Sequence, residues 1–405
     1  MDHFGIYSEI GKLKKVLLHR PGGELENLTP KWLHELLFDD IPWLERAIEE
    51  HDHLKKELEL HGIEVVYLTD LVAQSIEPIS LKKRFVEQFM NEAHVTHPTT
   101  RKRLFDHLIS LETKAMISKM MAGISKNDLP AYRNRSLKDH IKDYPFITDP
   151  MPNLYFTRDP FSVIFNGVSI HKMYSKTRER ETIFADYIFK YHPIYKDTQI
   201  FYSRENRYAI EGGDILVLSQ DVIAIGISER TEPDAIETIA KTLFKETDVS
   251  VILAINLPKQ RSFMHLDTVL TQVDVDKFLI HHDFLGKLDV YEIYPGSKKG
   301  TLRMYEKSYS IKRLFSYHLK RKITLIPCGG NDEVASDREQ WNDGANALAI
   351  APGVVVVYER NQITNRLLIK NGIKTIQIPS SELSRGRGGP RCMSMPLMRE
   401  AVIEI

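Results

Sequence analysis

From about residue 160 onward the chain repeats one plan several times, strand, strand, helix, strand, although its residues differ at each pass. One copy runs Phe161 to Phe165, turns at Asn166-Gly167 and returns as Val168 to Ile170. Asn-Gly between apolar runs predicts a type I′ hairpin, since both residues tolerate positive φ. A helix follows through Glu181 to Phe189, then a strand at Thr198 to Tyr202. The next copy pairs Asp214 to Leu218 with Val222 to Gly226, opens a helix behind an expected Thr231 cap, and closes with Ser250 to Ile255. A later copy reads Ala345 to Ile350, a turn at Pro352-Gly353, Val354 to Tyr358, a helix from Ile363 to Lys370, and Lys374 to Ile378. A less regular copy starts near His265. The first 70 residues supply a strand, Lys15 to His19, a helix from Glu45 to Leu60, and a strand, Ile63 to Leu68. About five similar units result. Units that each leave an apolar helix face and open strand edges are stable side by side or in a ring, where neighbours cover those surfaces. The N-terminal strand and the Cys392 segment, at opposite ends of the chain, could complete one unit and close such a ring.

Residues 76 to 148 break the plan. Leu81 to Met90, Thr100 to Thr113 and Lys114 to Ile124 place apolar residues three or four apart, which predicts amphipathic helices and an inserted helical domain. The expected division is therefore residues 1–75 and 149–405 as an α/β body, with 76–148 as a helical bundle. A length of 405 residues suits that organisation. The 55 Lys and Arg equal the 55 Asp and Glu, so no net field holds a nucleic acid or an anionic membrane. No apolar run is long enough to span a bilayer, and the start lacks a cationic segment followed by an apolar stretch. Two distant cysteines form no disulfide framework, so a cytoplasmic setting is expected.

Chemistry concentrates in a few short segments. Cys392 lies in Arg387-Gly388-Gly389-Pro390-Arg391-Cys392, where cationic neighbours would favour the nucleophilic thiolate; a small buried hydrophobe is the plainer alternative. Cys328, at the end of an apolar strand, reads as structural. His265 and Asp267 stand two apart, on one face of a strand if extended. That pair could serve a metal, a charge relay or a cationic substrate, or be a core histidine with its hydrogen bonds satisfied. Glu211-Gly212-Gly213-Asp214 allows close approach of backbone and ligand, or is a tight turn with acids. Asn153 to Pro160 sets polar groups at the edge of a first strand. There is no Cys or His pair at zinc spacing, no calcium loop and no phosphate cradle, so neither metal nor cofactor is expected. A thiol, an imidazole and carboxylates suit covalent catalysis on a cationic carbon electrophile.

Together Met151–Pro160, Thr177–Thr182, Glu211–Asp214, Ser228–Thr231, Met264–Thr268 and Arg385–Pro396 resemble, in content and order, the arginine deiminase family of guanidino-group-modifying (pentein) enzymes. The resemblance runs nearly the full length. It implies a five-bladed, pseudo-symmetric α/β propeller of ββαβ units with an inserted α-helical domain. It implies hydrolysis of free L-arginine to L-citrulline and ammonia, the first step of arginine catabolism by the deiminase pathway, without a cofactor. Cys392 would attack the guanidinium carbon and His265 would handle protons. Asp159 and Asp267 would grip the guanidinium, and Glu211 would pair with His265. Arg178 and Arg230 would bind the α-carboxylate, Asn153, Phe156 and Asp214 would complete the substrate contacts, and Arg387 would be a mobile arginine that approaches the site. A dimer or tetramer of identical chains is also expected. Within the same family, agmatine or methylarginine hydrolysis and amidino transfer are the alternatives. A non-catalytic arginine-binding protein is another, and a papain-like protease has its Cys and His in the opposite order.

Overall fold

The computed structural model describes residues 4–129, 144–258 and 263–402. Its repeated element is a three-stranded sheet in which an antiparallel hairpin gains a parallel third strand. A parallel partner needs a long crossover, and a helix supplies it. In the first unit Phe161–Ile164 pairs with Gly167–Ile170, and the helix Thr182–Tyr191 leads to Gln199–Tyr202. The second pairs Ile215–Val217 with Val222–Ile227, crosses by Pro233–Glu246 and adds Val251–Asn256. The third is Leu270–Gln272 with Lys277–Ile280, then Ile311–His318 and Thr324–Pro327. The fourth is Leu348–Ala351 with Val354–Tyr358, then Gln362–Lys370 and Lys374–Ile378. The fifth is made from both ends of the chain. Met395–Arg399 runs antiparallel to Leu13–Leu18, which after the helix Leu44–Leu60 takes Glu64–Tyr67 as its parallel partner. The expected completion of one unit by the two termini is therefore present.

Several local expectations are corrected. The Asn166-Gly167 turn sits one residue earlier: Ile164 pairs with Gly167, and the positive φ falls on Phe165, at 49°. Backbone bonds in both directions between Phe165 and Ile6, of 2.8 and 2.9 Å, hold that conformation. Gly167 is needed for space, because a Cβ there would collide with the Phe201 ring. Thr231 does not cap its helix; its hydroxyl donates to Asp214 Oδ2 at 2.6 Å. The third unit also carries a long hairpin, Lys287–Pro295 with Leu302–Ser310, that leaves its own sheet. It pairs with Val251–Asn256 of the second unit and extends that sheet to five strands.

Between residues 68 and 148 the chain forms helices Leu68–Ser75, Ile79–Glu92, Pro98–Ser110 and Thr113–Ala122. A short ribbon of Ile124–Ser125 with Phe146–Thr148, absent from the helical reading, follows. Phe85, Phe89, Leu104, Leu108, Met116 and Met120 are fully buried and share one core with Phe184, Tyr187 and Ile188 of the first unit's helix. Phe85 and Tyr187 meet edge to face at 4.7 Å. Among the described residues no helix is long and apolar enough to cross a membrane.

Candidate active site

Each unit is entered through a short irregular segment just before its first strand, and these five segments carry the polar residues singled out in the sequence. Asp159 precedes Phe161–Ile164, Glu211 and Asp214 precede Ile215–Val217, and His265 and Asp267 precede Leu270–Gln272. Asn346 precedes Leu348–Ala351, and Cys392 precedes Met395–Arg399. Hydrogen bonds run from segment to segment in order. Gly212 N–H donates to Asp159 O at 3.1 Å, Leu266 N–H to Asp214 Oδ1 at 2.9 Å, and Asn346 Nδ2 to Asp267 O at 3.0 Å. Cys392 N–H donates to Asn346 Oδ1 at 3.0 Å, and Arg158 N–H to Cys392 O at 3.1 Å, which returns the circuit to the first unit.

The chain at His265 is not the strand that the His-x-Asp spacing suggested. Leu266–Val269 is one helical turn, begun by an extended His265 whose carbonyl accepts from Thr268 Oγ1 at 2.6 Å. Asp214 takes up the Leu266 N–H at the same point. Local side-chain acceptors and donors of this kind compete with strand pairing. Asp214 therefore stands apart from the substrate-contact set. It is fully buried, its oxygens are engaged by Leu266 N–H, Ser228 Oγ and Thr231 Oγ1, and it holds the turn that presents His265.

A cavity of about 310 Å³ opens onto Cys392, His265 and Asp159, and Asn153, Phe156, Arg178, Arg230 and Arg387 also line it. His265 Nε2 and Glu211 Oε2 are 2.9 Å apart, and Glu211 Oε1 accepts from Tyr174 N–H at 3.1 Å. Burial alone would lower the imidazole pKa, but Asp159, the Glu211 hydrogen bond and Asp214 outweigh it and raise His265 to about 9. In the same way burial works to raise Glu211, yet His265 prevails and holds it near 2. These acids favour the protonated imidazole, and the Glu211 contact fixes its orientation.

Cys392 Sγ lies 3.7 Å from Asp267 Oδ2, to which its proton can be donated. The thiol is pushed well above its usual value, first by burial and then by Asp267, Asp159 and Asp343, while Arg391 pulls the other way. The electropositive surroundings expected from the neighbouring arginines are therefore corrected: acids dominate around the sulfur. Arg387 stacks on Trp341, its Cζ 3.4 Å from the ring centroid, on a left-handed backbone with φ of 65°. Arg391 turns away from the cavity, ion-pairs with Asp267 Oδ2 and donates to Glu9 Oε2 at 3.0 Å and to Ile215 O at 3.2 Å.

Two carboxylate oxygens remain over. Asp159 uses Oδ2 on Arg178 Nη1 at 2.8 Å, and Asp267 uses Oδ2 on Arg391. Their Oδ1 atoms are buried and have no hydrogen-bond partner among the described residues, although His265 Nδ1 comes within 3.8 Å of Asp159 Oδ1. Arg178 is held on its far side by Glu181, at 2.8 to 3.1 Å, which keeps its guanidinium at the cavity wall. Arg230 lies over the Tyr174 ring at 5.9 Å, and Asn153 Nδ2 donates to Leu36 O. The Phe156 ring is approached so closely by Gly388 that a Cβ there would overlap it. Asp159, Glu211 and His265 could by donor type hold a metal ion. However, Arg178 is at hydrogen-bond distance from Asp159 and Glu211 is spent on His265, which is the wrong electrostatics for a dication.

Sequence reasoning missed Glu9, Glu181, Trp341 and the structural part of Asn346. Asn346 stood out only as part of the strand Ala345 to Ile350, and Glu9 lies in Ser8-Glu9-Ile10 without any local signal. Cys328, read as structural, is fully buried, and burial raises its thiol to about 12.

This geometry has counterparts in known proteins. The family model described as arginine deiminase matches residues 34–399. The arginine deiminase of Clostridium perfringens (strain SM101 / Type A) is 51% identical over 403 residues, 98% of each chain. That of Treponema denticola is 50% identical over 409 residues, 99% of this chain and all of the relative. Among solved structures, dimethylarginine dimethylaminohydrolase from Pseudomonas aeruginosa, complexed with citrulline, superposes with a TM-score of 0.53 at 16% identity, over 95% of this chain and 99% of the other. The N-terminal domain of ArgZ, a cyanobacterial arginine dihydrolase bound to product, gives 0.54 at 14% identity, over 95% and 97%. These structural likenesses show a shared fold, while the sequence matches extend through all five entry segments; the chain belongs to the arginine deiminase family.

Proposed function

We propose that Cys392 carries out the hydrolytic deimination of free L-arginine to L-citrulline and ammonia through a covalent thiouronium. The observation that carries this reading is the pair of buried carboxylates near the thiol, Asp267 with Oδ2 3.7 Å from the sulfur and Asp159 at the cavity wall, whose Oδ1 atoms make no hydrogen bond among the described residues. A planar guanidinium has donors to satisfy both, and such charge-assisted bonds would fix its plane with Cζ facing Sγ. The bound cation brings positive charge to a site whose acids otherwise keep Cys392 protonated, so the thiolate forms as substrate arrives. The sulfur attacks Cζ. The thiol proton leaves to solvent as the thiolate forms. His265, protonated at neutral pH, delivers its proton to the departing ammonia, and the now neutral imidazole takes a proton from water. The hydroxide adds to the thiouronium carbon, whose C–S bond breaks to release citrulline and return the Cys392 thiol. Arg178 and Arg230 at the cavity wall suit an α-carboxylate, although Arg178 is already paired with Asp159 and Glu181.

The circuit of hydrogen bonds through the five entry segments supports a closed five-bladed propeller around this site. The helices of residues 76–148 are proposed as its inserted domain, outside the ring. A dimer or tetramer and a cytoplasmic setting, to which two buried free thiols are suited, complete the reading. Incubation with arginine, agmatine and methylarginine, followed by assays of citrulline, ammonia and ornithine, tests the substrate. Arginine should give citrulline and ammonia in equal amounts, and arginine giving no ammonia would overturn the assignment. Cys392→Ser should bind arginine without turning it over.

A further inference from the structure

Away from the active cavity, His281, His282 and Asp337 bring one ligand atom each within 4.8 Å of one another. The histidines sit where the strand Lys277–Ile280 passes into the turn His282–Phe284, and Asp337 projects from the helix Glu333–Trp341. His281 is 2% exposed and its Nε2 has no hydrogen-bond partner among the described residues, although Asp337 Oδ1 is 3.9 Å away. An unsatisfied buried nitrogen is costly and calls for a ligand. Behind the rings lies Asp283, with Oδ1 2.9 Å from His282 Nε2 and Oδ2 3.8 Å from His281 Nδ1. A carboxylate in that place orients imidazoles toward an ion.

We propose that His281, His282 and Asp337 form a binding site for a divalent transition ion of the zinc type, with water completing a tetrahedral shell. Two imidazoles and one carboxylate suit such an ion, whereas calcium and magnesium take oxygen ligands. His281 ligates through Nε2 and carries its proton on Nδ1, toward Asp283 Oδ2. This surrenders only a long contact, 3.4 Å, from Asp283 N–H. His282 ligates through one ring nitrogen, which exchanges its present contact, with Ser336 Oγ at 3.0 Å or with Asp283, for the ion. The Asp337 side chain is 66% exposed, so the ion has an open path. Once bound, it ties the turn to a helix whose far end carries Gln340, a donor to Thr268 O, and Trp341 beneath Arg387.

Zinc titrated into the full-length protein by calorimetry, with cobalt as the spectroscopic substitute, tests the site. The expected result is one saturable equivalent, a tetrahedral cobalt spectrum without thiolate charge transfer, and affinity unchanged in Cys392→Ser. Asp337→Ala and His282→Ala, both outside the buried core, should each weaken binding by at least about tenfold. No saturable binding, equal affinity in the double variant, or a thiolate band that disappears in Cys392→Ser would overturn the proposal.

Discussion

Asp267 faces two ways: Oδ2 meets Arg391 and the sulfur of Cys392, and Oδ1, buried without a hydrogen bond among the described residues, is the atom proposed to meet the substrate. Glu9 makes that division possible, because it shares the Arg391 guanidinium and is itself held low as burial, which would raise it, is outweighed by Arg391, Arg158 and Arg399. Glu9→Gln leaves Arg391 short of counter-charge in a site that is 1% exposed, and we expect a stability loss of roughly 3 kcal/mol, read from the urea midpoint. An unchanged midpoint would show that the network carries no net stability. Gly213 is the second residue with a narrow tolerance. An added Cβ would lie 2.6 Å from His265 Cγ and Nδ1, so Gly213→Ala should push the imidazole from its place and lower kcat by about a hundredfold while circular dichroism stays native. At this scale the residue types alone left Cys392, His265 and Glu211 open between chemistry and plain packing, and it was the resemblance of the motifs, in content and order, that implied one site for them with Asp159 and Asp267. Glu9 and Trp341 were silent, since each matters through a partner remote in sequence, Arg391 or Arg387.

Strands and helices were legible wherever the local pattern decides them. Val354-Val355-Val356-Val357 can hardly be anything but a strand, and it pairs as expected across Gly353, whose φ is 72°. The Asn166-Gly167 turn and the His265 strand misled because tertiary partners, Ile6 in one case and Asp214 in the other, outbid the local preference. The excursion of Lys287–Ser310 onto the neighbouring sheet was illegible for a related reason: hairpins announce their own pairing and not the edge they join. That edge, Val251–Asn256, is buried along most of its length and would present open backbone groups without the hairpin. Replacing 287–310 by a short turn should therefore cause aggregation, visible by light scattering at concentrations where the intact chain is clear. A variant that stays clear would show that the edge is protected by other means.

For the whole molecule, titration couples the site to stability. His265 is raised from 6.5 to about 9, so its contribution is fully present below pH 6.5 and disappears as pH rises through 9. Asp343, lifted to about 7 by burial, also loses its contribution as pH rises, between about 4 and 7. On the acid side His51 and His171, buried and lowered to about 3 and 4, favour folding above pH 6.5 and lose that contribution as pH falls. Stability should decline from pH 6.5 to 9, and in His265→Asn that decline should flatten; a wild-type profile that rises over this range would contradict the assignment. The repeated strand-strand-helix-strand plan was readable from three clear copies, a less regular one near His265 and the strand-helix-strand of the first 70 residues. The circuit of hydrogen bonds that brings their entry segments together was not, because its links join backbone groups to one another or to the side chains of Asp214 and Asn346, across residues remote in sequence. On the proposed reading, those segments assemble an acid-rich pocket that keeps the Cys392 thiol protonated until a cation binds. The thiolate absorbance of Cys392, taken as wild type minus Cys392→Ser across pH with and without a non-reactive arginine analogue, tests this most directly. The thiol should titrate high when free and markedly lower with the analogue bound; a low value that ligand leaves unchanged would contradict substrate-supplied activation.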